Sequence, residues 1–151
     1  MHIYLGTDHA GFELKEEVKT YLEGLGHTVE DLGAFTLDPK DDYPDFVAPV
    51  GRKIIEAKGD PEIRGIVFGK SGQAEAIICN RFHNVRAALY YGGPLEIVAL
   101  SRMHNNSNVL SLGAHFLTFE EARQAIDMWL VTEYEGGRHD ARLKKIEDLT
   151  K

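Results

Sequence analysis

Cysteine is almost missing from this chain: one residue, Cys79, among 151, so no internal disulfide can form and the fold must close on its own core. A chain of this length is able to do so. Long apolar runs are missing as well: no stretch approaches the ~20 residues of a membrane-spanning helix, and the first residues lack the charged and apolar regions of a secretory leader. The expectation is a reduced, cytoplasmic setting with no membrane partner. Positive charge is in the minority, with 17 Lys and Arg against 24 Asp and Glu and a net charge of −7, which argues against general nucleic-acid binding. Any anion site must therefore be assembled locally. Repeats and low-complexity linkers are lacking too, and a single domain over residues 1–151 is predicted.

What the chain does have is an alternation of short apolar runs with longer amphipathic segments, the pattern of parallel strands joined by crossover helices. Strands are predicted near 2–7, 27–32, 64–69, 85–90 and 108–112. Helices are predicted near 11–24, 43–58, 72–82, 93–104 and 119–133. Together they make a Rossmann-like three-layer α/β/α sandwich around a five-stranded parallel sheet. Residues 33–42, with Gly33, Pro39 and three aspartates, form a polar loop. After Gly136 and Gly137 comes an extra helix, about 138–149, with little apolar periodicity, which is expected either to pack on a partner subunit or to form a solvated tail.

Residues 65–75, GIVFGKSGQAE, carry the chemistry. Ile66-Val67-Phe68 enters a small-residue turn, Gly69-Lys70-Ser71-Gly72, that opens a helix with Glu75 in its first turn. Free backbone N–H groups there can hold a phosphate or a developing oxyanion, and the neighbouring carboxylate points to proton transfer. A nucleotide-binding P-loop fails on spacing: it needs a glycine at the position of Arg64, and Gly65 stands one residue too close, which leaves an NTPase as a minor alternative resting on Lys70-Ser71 alone.

In open parallel sheets ligands sit beyond the carboxyl ends of the strands, and the polar residues gather where strands end or begin. Asp8 can accept a hydroxyl or cap a helix, with His9 beside it. His104 and Asn105 precede the last strand, either to act on a sugar or to end a helix, and His115 follows that strand. Arg138 and Arg142, four apart on one helix face, can clamp a phosphate or form a solvated basic face. Cys79 reads as a small buried hydrophobe, and His2, His27 and His83 as structural or solvated.

GTDHAGFELK at the start, DYP at 42–44, the GKSGQAE loop, NVRAAL, HNNSNVLSLGA and EGGRHDAR together resemble the ribose-5-phosphate isomerase B and galactose-6-phosphate isomerase family, in order and over nearly the whole chain. The resemblance implies metal-free and cofactor-free aldose–ketose isomerisation of a sugar phosphate. It also implies a homodimer or dimer of dimers with active sites at the subunit interface. By position, Asp8 and His9 match the substrate-binding pair, Tyr43 the active-site tyrosine, and His104 the ring-opening histidine with Asn105 beside it. Ser71 matches the hydroxyl residue of the anion loop, whose other members are Gly69, Lys70, Gly72, Gln73 and Ala74, and Arg138 and Arg142 match phosphate-binding arginines. Many members carry a catalytic cysteine where this chain has Gly69; another branch uses a glutamate at the position of Glu75, and this chain resembles that branch. Lys70 and Ala74 replace glycines of its loop, and His115 stands where phosphate-binding members commonly have arginine, which leaves open a six-carbon aldose phosphate, a free aldose or a non-catalytic sugar-phosphate-binding subunit.

Overall fold

A computed structural model describes residues 1–150; Lys151, the last residue of the predicted domain, lies outside the described residues. The strands are β1 (His2–Thr7), β2 (Thr28–Asp31), β3 (Ile63–Gly69), β4 (Ala87–Tyr90) and β5 (Val109–Gly113). All pair in parallel, in the order β2-β1-β3-β5-β4. The helices are α1 (Phe12–Gly24), α2 (Tyr43–Glu56), α3 (Gln73–Cys79), α4 (Glu96–Met103), α5 (Phe119–Val131) and α6 (Arg138–Leu149). The predicted three-layer sandwich is the observed one.

Strand alternation decides which helices cover which face. Ile3, Leu5, Phe68, Leu110 and Leu112 point to one side, where Leu14, Val18 and Leu22 of α1 and Ile126 and Trp129 of α5 complete one core. Tyr4, Val67 and Val109 point to the other, against Val47, Val50 and Ile54 of α2 and Cys79 of α3. Both faces are thus buried, which is why the central strands read as continuous apolar runs. Thr118 and Glu121 form a reciprocal capping box that starts α5.

Several helices are shorter than the sequence predicts, and local polar contacts explain where they stop or start. The helix expected over 72–82 ends at Cys79 because the Asn80 amide turns back onto Ala87, bonding both its N–H (2.8 Å) and its carbonyl (3.0 Å) and diverting the chain into β4. Positive φ at Gly92 and Gly93 delays α4 to Glu96, and positive φ at Lys58 and Gly59 follows the end of α2.

Fully buried Lys15 sits 2.5 Å from Asp31 at the end of β2. Burial works against the Asp31 carboxylate, but the bonds from Lys15 and the Gly33 N–H outweigh it and hold its pKa below the usual range. Gly33 and Ala34 then bond Thr7 at 2.8 and 2.7 Å, so the polar loop that follows β2 is tied to the end of β1.

Candidate functional site

The chain leaves β1 toward β2 on one side and returns to β3 on the other, so the ends of β1 and β3 form the crevice where strand order reverses. Asp8 and His9 follow β1, and the Gly69 turn ends β3. Thr7 fixes the junction, its hydroxyl donating to the carbonyls of Asp8 and Phe68. Asp8 is 8 % exposed and caps a short 3-10 turn, accepting the Ala10 N–H at 2.9 Å. The cap and the site position are therefore one residue.

Past β3 the chain turns through Lys70, Ser71 and Gly72, whose N–H groups have no acceptor among the described residues. Gly72 adopts φ +77°, and a Cβ there would stand 2.8 Å from Leu89 and 3.0 Å from the Leu112 backbone. Only glycine suits that turn. Its carbonyl accepts the buried Ser111 hydroxyl at 2.6 Å, and Ala114 and His115 donate to the carbonyls of Gly69 and Lys70 at 2.8 and 3.0 Å. The end of β5 thus braces the cradle and puts His115 on its rim. Exposed Gln73 and half-buried Ala74 open α3, Ser71 is half-buried, and the Lys70 side chain is exposed.

Glu75 is 4 % exposed. Burial, reinforced by the charge of Asp8, raises its pKa above the ordinary value. Its carboxylate lies against Gly69 so closely that a Cβ on residue 69 would be 2.1 Å from the carboxyl carbon and both oxygens. The acid occupies the space into which a side chain at 69 would project. Cys79 is fully buried, its thiol pushed up to about 12 by burial and the charge of Glu75. It is inert as a nucleophile at neutral pH.

Asp41, missed by sequence reasoning, accepts both the backbone N–H (2.9 Å) and Nδ1 (2.7 Å) of His9. Tyr43 begins α2 two residues later. The three aspartates of the loop were the only signal, and nothing in the order of residues said which of them would reach His9.

The remaining candidates lie elsewhere. His104 caps the C-terminus of α4, and its ring stacks on His139 at 4.5 Å and 16°, while Glu135 lies 3.9 Å from His104 and 3.5 Å from His139. Exposed Asn105 follows, and exposed Arg138 and Arg142 stand on α6, whose buried His139 docks on the same chain. All of these belong to the amino end of β5. Val109 pairs with Gly65 and Gly113 with Gly69, so four residues, about 13 Å of strand, separate that end from Glu75. The sequence-predicted residues form two groups at opposite ends of the strands of one sheet.

Two clusters have ligand atoms near enough to meet at a cation: His104 with Glu135 and His139, and Asp8 with His9 and Asp41. In the first, stacked rings 4.5 Å apart and only 16° from parallel have planes that converge far beyond a metal–nitrogen bond length, whereas two imidazoles on one metal must both have it in their ring planes. In the second, His9 Nδ1 is engaged with Asp41 at 2.7 Å. Only the second is hydrogen-bonded; in the first, the buried His139 Nε2 has no hydrogen-bond partner among the described residues.

Residues 3–146 match the model of a family described as Ribose/Galactose Isomerase. Ribose-5-phosphate isomerase B of Mycolicibacterium paratuberculosis is 38% identical over 144 residues, 95% of this chain and 87% of that protein. Among solved structures, ribose-5-phosphate isomerase B of Mycoplasma genitalium with bound ribulose-5-phosphate superposes with TM-score 0.91 at 34% identity, covering 98% of this chain and 95% of that one. The enzyme of Clostridium thermocellum gives TM-score 0.91 at 34% identity, covering 99% and 97%. No helix among the described residues is long and apolar enough to cross a membrane.

Proposed function

The chain belongs to the ribose/galactose isomerase family, and on that premise we propose that it converts ribose 5-phosphate to ribulose 5-phosphate through an enediolate with Glu75 as the base. The observation that carries this reading is the position of the Glu75 carboxylate, in the volume a residue-69 side chain would fill. That is where many members of the family carry their catalytic cysteine. Burial keeps the acid's pKa raised, which suits a group that takes a proton and gives it back.

In this mechanism Asp8 and a histidine open the sugar ring. Glu75 removes the C2 proton and returns it to C1, while Ser71 relays the hydroxyl proton between O1 and O2. The open N–H groups of Lys70, Ser71 and Gly72 stabilise the enediolate oxygen. Tyr43, Gln73 and Ala74 line the sugar, and His9 and His115 face its phosphate.

The ring-opening histidine is His104 of a second copy of the chain, which also supplies Asn105, Arg138 and Arg142. Support comes from the 13 Å or so of sheet between the two groups, and from apolar surface near α3 and α6: Ile77, Ile146 and Leu149 are 61%, 50% and 76% exposed. A two-fold pairing would complete two identical sites at once.

His115 favours one second reading, a six-carbon aldose phosphate, because histidine is a weaker anion partner than the arginine common there. A panel of aldose phosphates and free aldoses, assayed for ketose formation, tests both. The proposal expects the highest kcat/KM for ribose 5-phosphate; preference for a six-carbon phosphate supports the second reading, and turnover of none contradicts both.

A further inference from the structure

The pairing of His9 with Asp41 is more than a loop contact. Asp41 reaches the end of β1 from 32 residues away and spends one oxygen on two donors of the same residue, the backbone N–H and Nδ1 of His9. Its side chain is 9 % exposed, and its other oxygen, Oδ2, is buried without a hydrogen-bond partner among the described residues. A half-satisfied buried acid is a cost, and the backbone contact alone does not account for it, since an asparagine oxygen would accept that bond without a charge. What a carboxylate adds is its effect on the imidazole.

With Nδ1–H committed to Asp41, the ring presents Nε2 outward, and no partner among the described residues occupies it. A neutral ring in that tautomer offers only a lone pair at Nε2, which repels an anion; a charged ring offers an N–H. The groups acting on the ring favour the charged form. The bond to Asp41 is the largest influence, burial opposes it, and Asp8, 3.9 Å away, and Asp38 add further negative potential. No cation appears among the groups that bear on it.

We infer that Asp41 is a positioning residue: it fixes the His9 ring and holds it as an imidazolium, so that Nε2–H grips the phosphate of the substrate. This rests on the isomerase reading for the substrate's identity, though not for the state of the ring. It also gives the crevice a built-in cation on a chain of net charge −7, at a site whose usual arginine is replaced by His115.

The test compares the wild-type protein with Asp41→Asn, which keeps the acceptor oxygen and removes the charge. His9 is titrated by NMR without substrate, inorganic phosphate binding is followed by calorimetry, and KM and kcat for ribose 5-phosphate are measured from pH 5.5 to 8.5. The wild-type ring is expected to titrate above the ordinary 6.5, and the variant's midpoint to fall below that of the wild type. Between the two measured midpoints the variant's KM should rise about tenfold with kcat within about twofold, whereas well below both midpoints, where both rings are charged, the two KM values should converge. A His9 midpoint unmoved by the substitution overturns the inference, as does a KM gap that persists below both measured midpoints, the mark of a merely structural role. If no sugar is turned over, the NMR and phosphate measurements still decide the question, and only the isomerase reading falls.

Discussion

Glu75→Gln is expected to lower kcat by about 10³–10⁴, near the upper end of what a positioned acid–base group contributes, while leaving KM and the fold almost unchanged. The amide has the shape of the acid and cannot take a proton from carbon. Stability should hold or rise slightly, and the sign follows from linkage. Burial raises the Glu75 pKa in the folded state, so its contribution to stability is present below the unfolded value and lost as pH climbs through the folded one. Above the folded-state midpoint the ionised acid is a liability that glutamine removes. The same shift places the acid limb of the wild-type kcat profile above the usual glutamate range, and that limb should vanish in the variant's residual activity. Steady-state kinetics with a thermal melt checks all three points. Near-normal turnover would remove Glu75 as the base.

Gly69→Ala is the second large effect, and it comes from space rather than charge. A methyl at residue 69 would fall 2.1 Å from every atom of the Glu75 carboxyl group, and a buried acid at the head of α3 can yield only by swinging out of the site. A loss of about 10²-fold or more in kcat is expected, since misplacement of about 1 Å can cost that much, together with a lower melting temperature. Combining it with Glu75→Ala should restore stability by removing the clash, without restoring turnover. That non-additive pattern is the signature of two groups competing for one volume. Additive losses in the melt would show that the acid sits elsewhere.

Much of the fold could be read from the chain because its signals are local or periodic. Ile66, Val67 and Phe68 announce a central strand, since a strand buried on both faces tolerates only apolar residues. Glu75 was legible for a similar reason, standing a fixed few residues beyond a turn that needs glycine at 69 and 72. Element ends were less so. Where α3 stops depends on an Asn80 amide finding Ala87, a contact made only after the fold has brought β4 near.

The site itself was only half legible. Asp41 is invisible as a partner of His9 because its loop is placed by backbone bonds between Thr7 and residues 33–34, not by any pattern of its own. His104 and Glu75 look like members of one constellation in a list of residues. Strand β5 runs between their two ends of the sheet, and sequence order does not say which end a residue will reach. The proposed sharing of a site between two copies reconciles them.

Mixing two inactive variants tests that account most directly. Glu75→Gln and His104→Asn proteins, unfolded or dissociated together in equal amounts and allowed to reassociate, should form about half mixed dimers, each with one site carrying both intact residues. About a quarter of the wild-type activity on ribose 5-phosphate should return, from two preparations that have almost none apart. If Glu75 and His104 served the same site from the same chain, every site in the mixture would keep one lesion, and recovery would stay at the level of the separate variants.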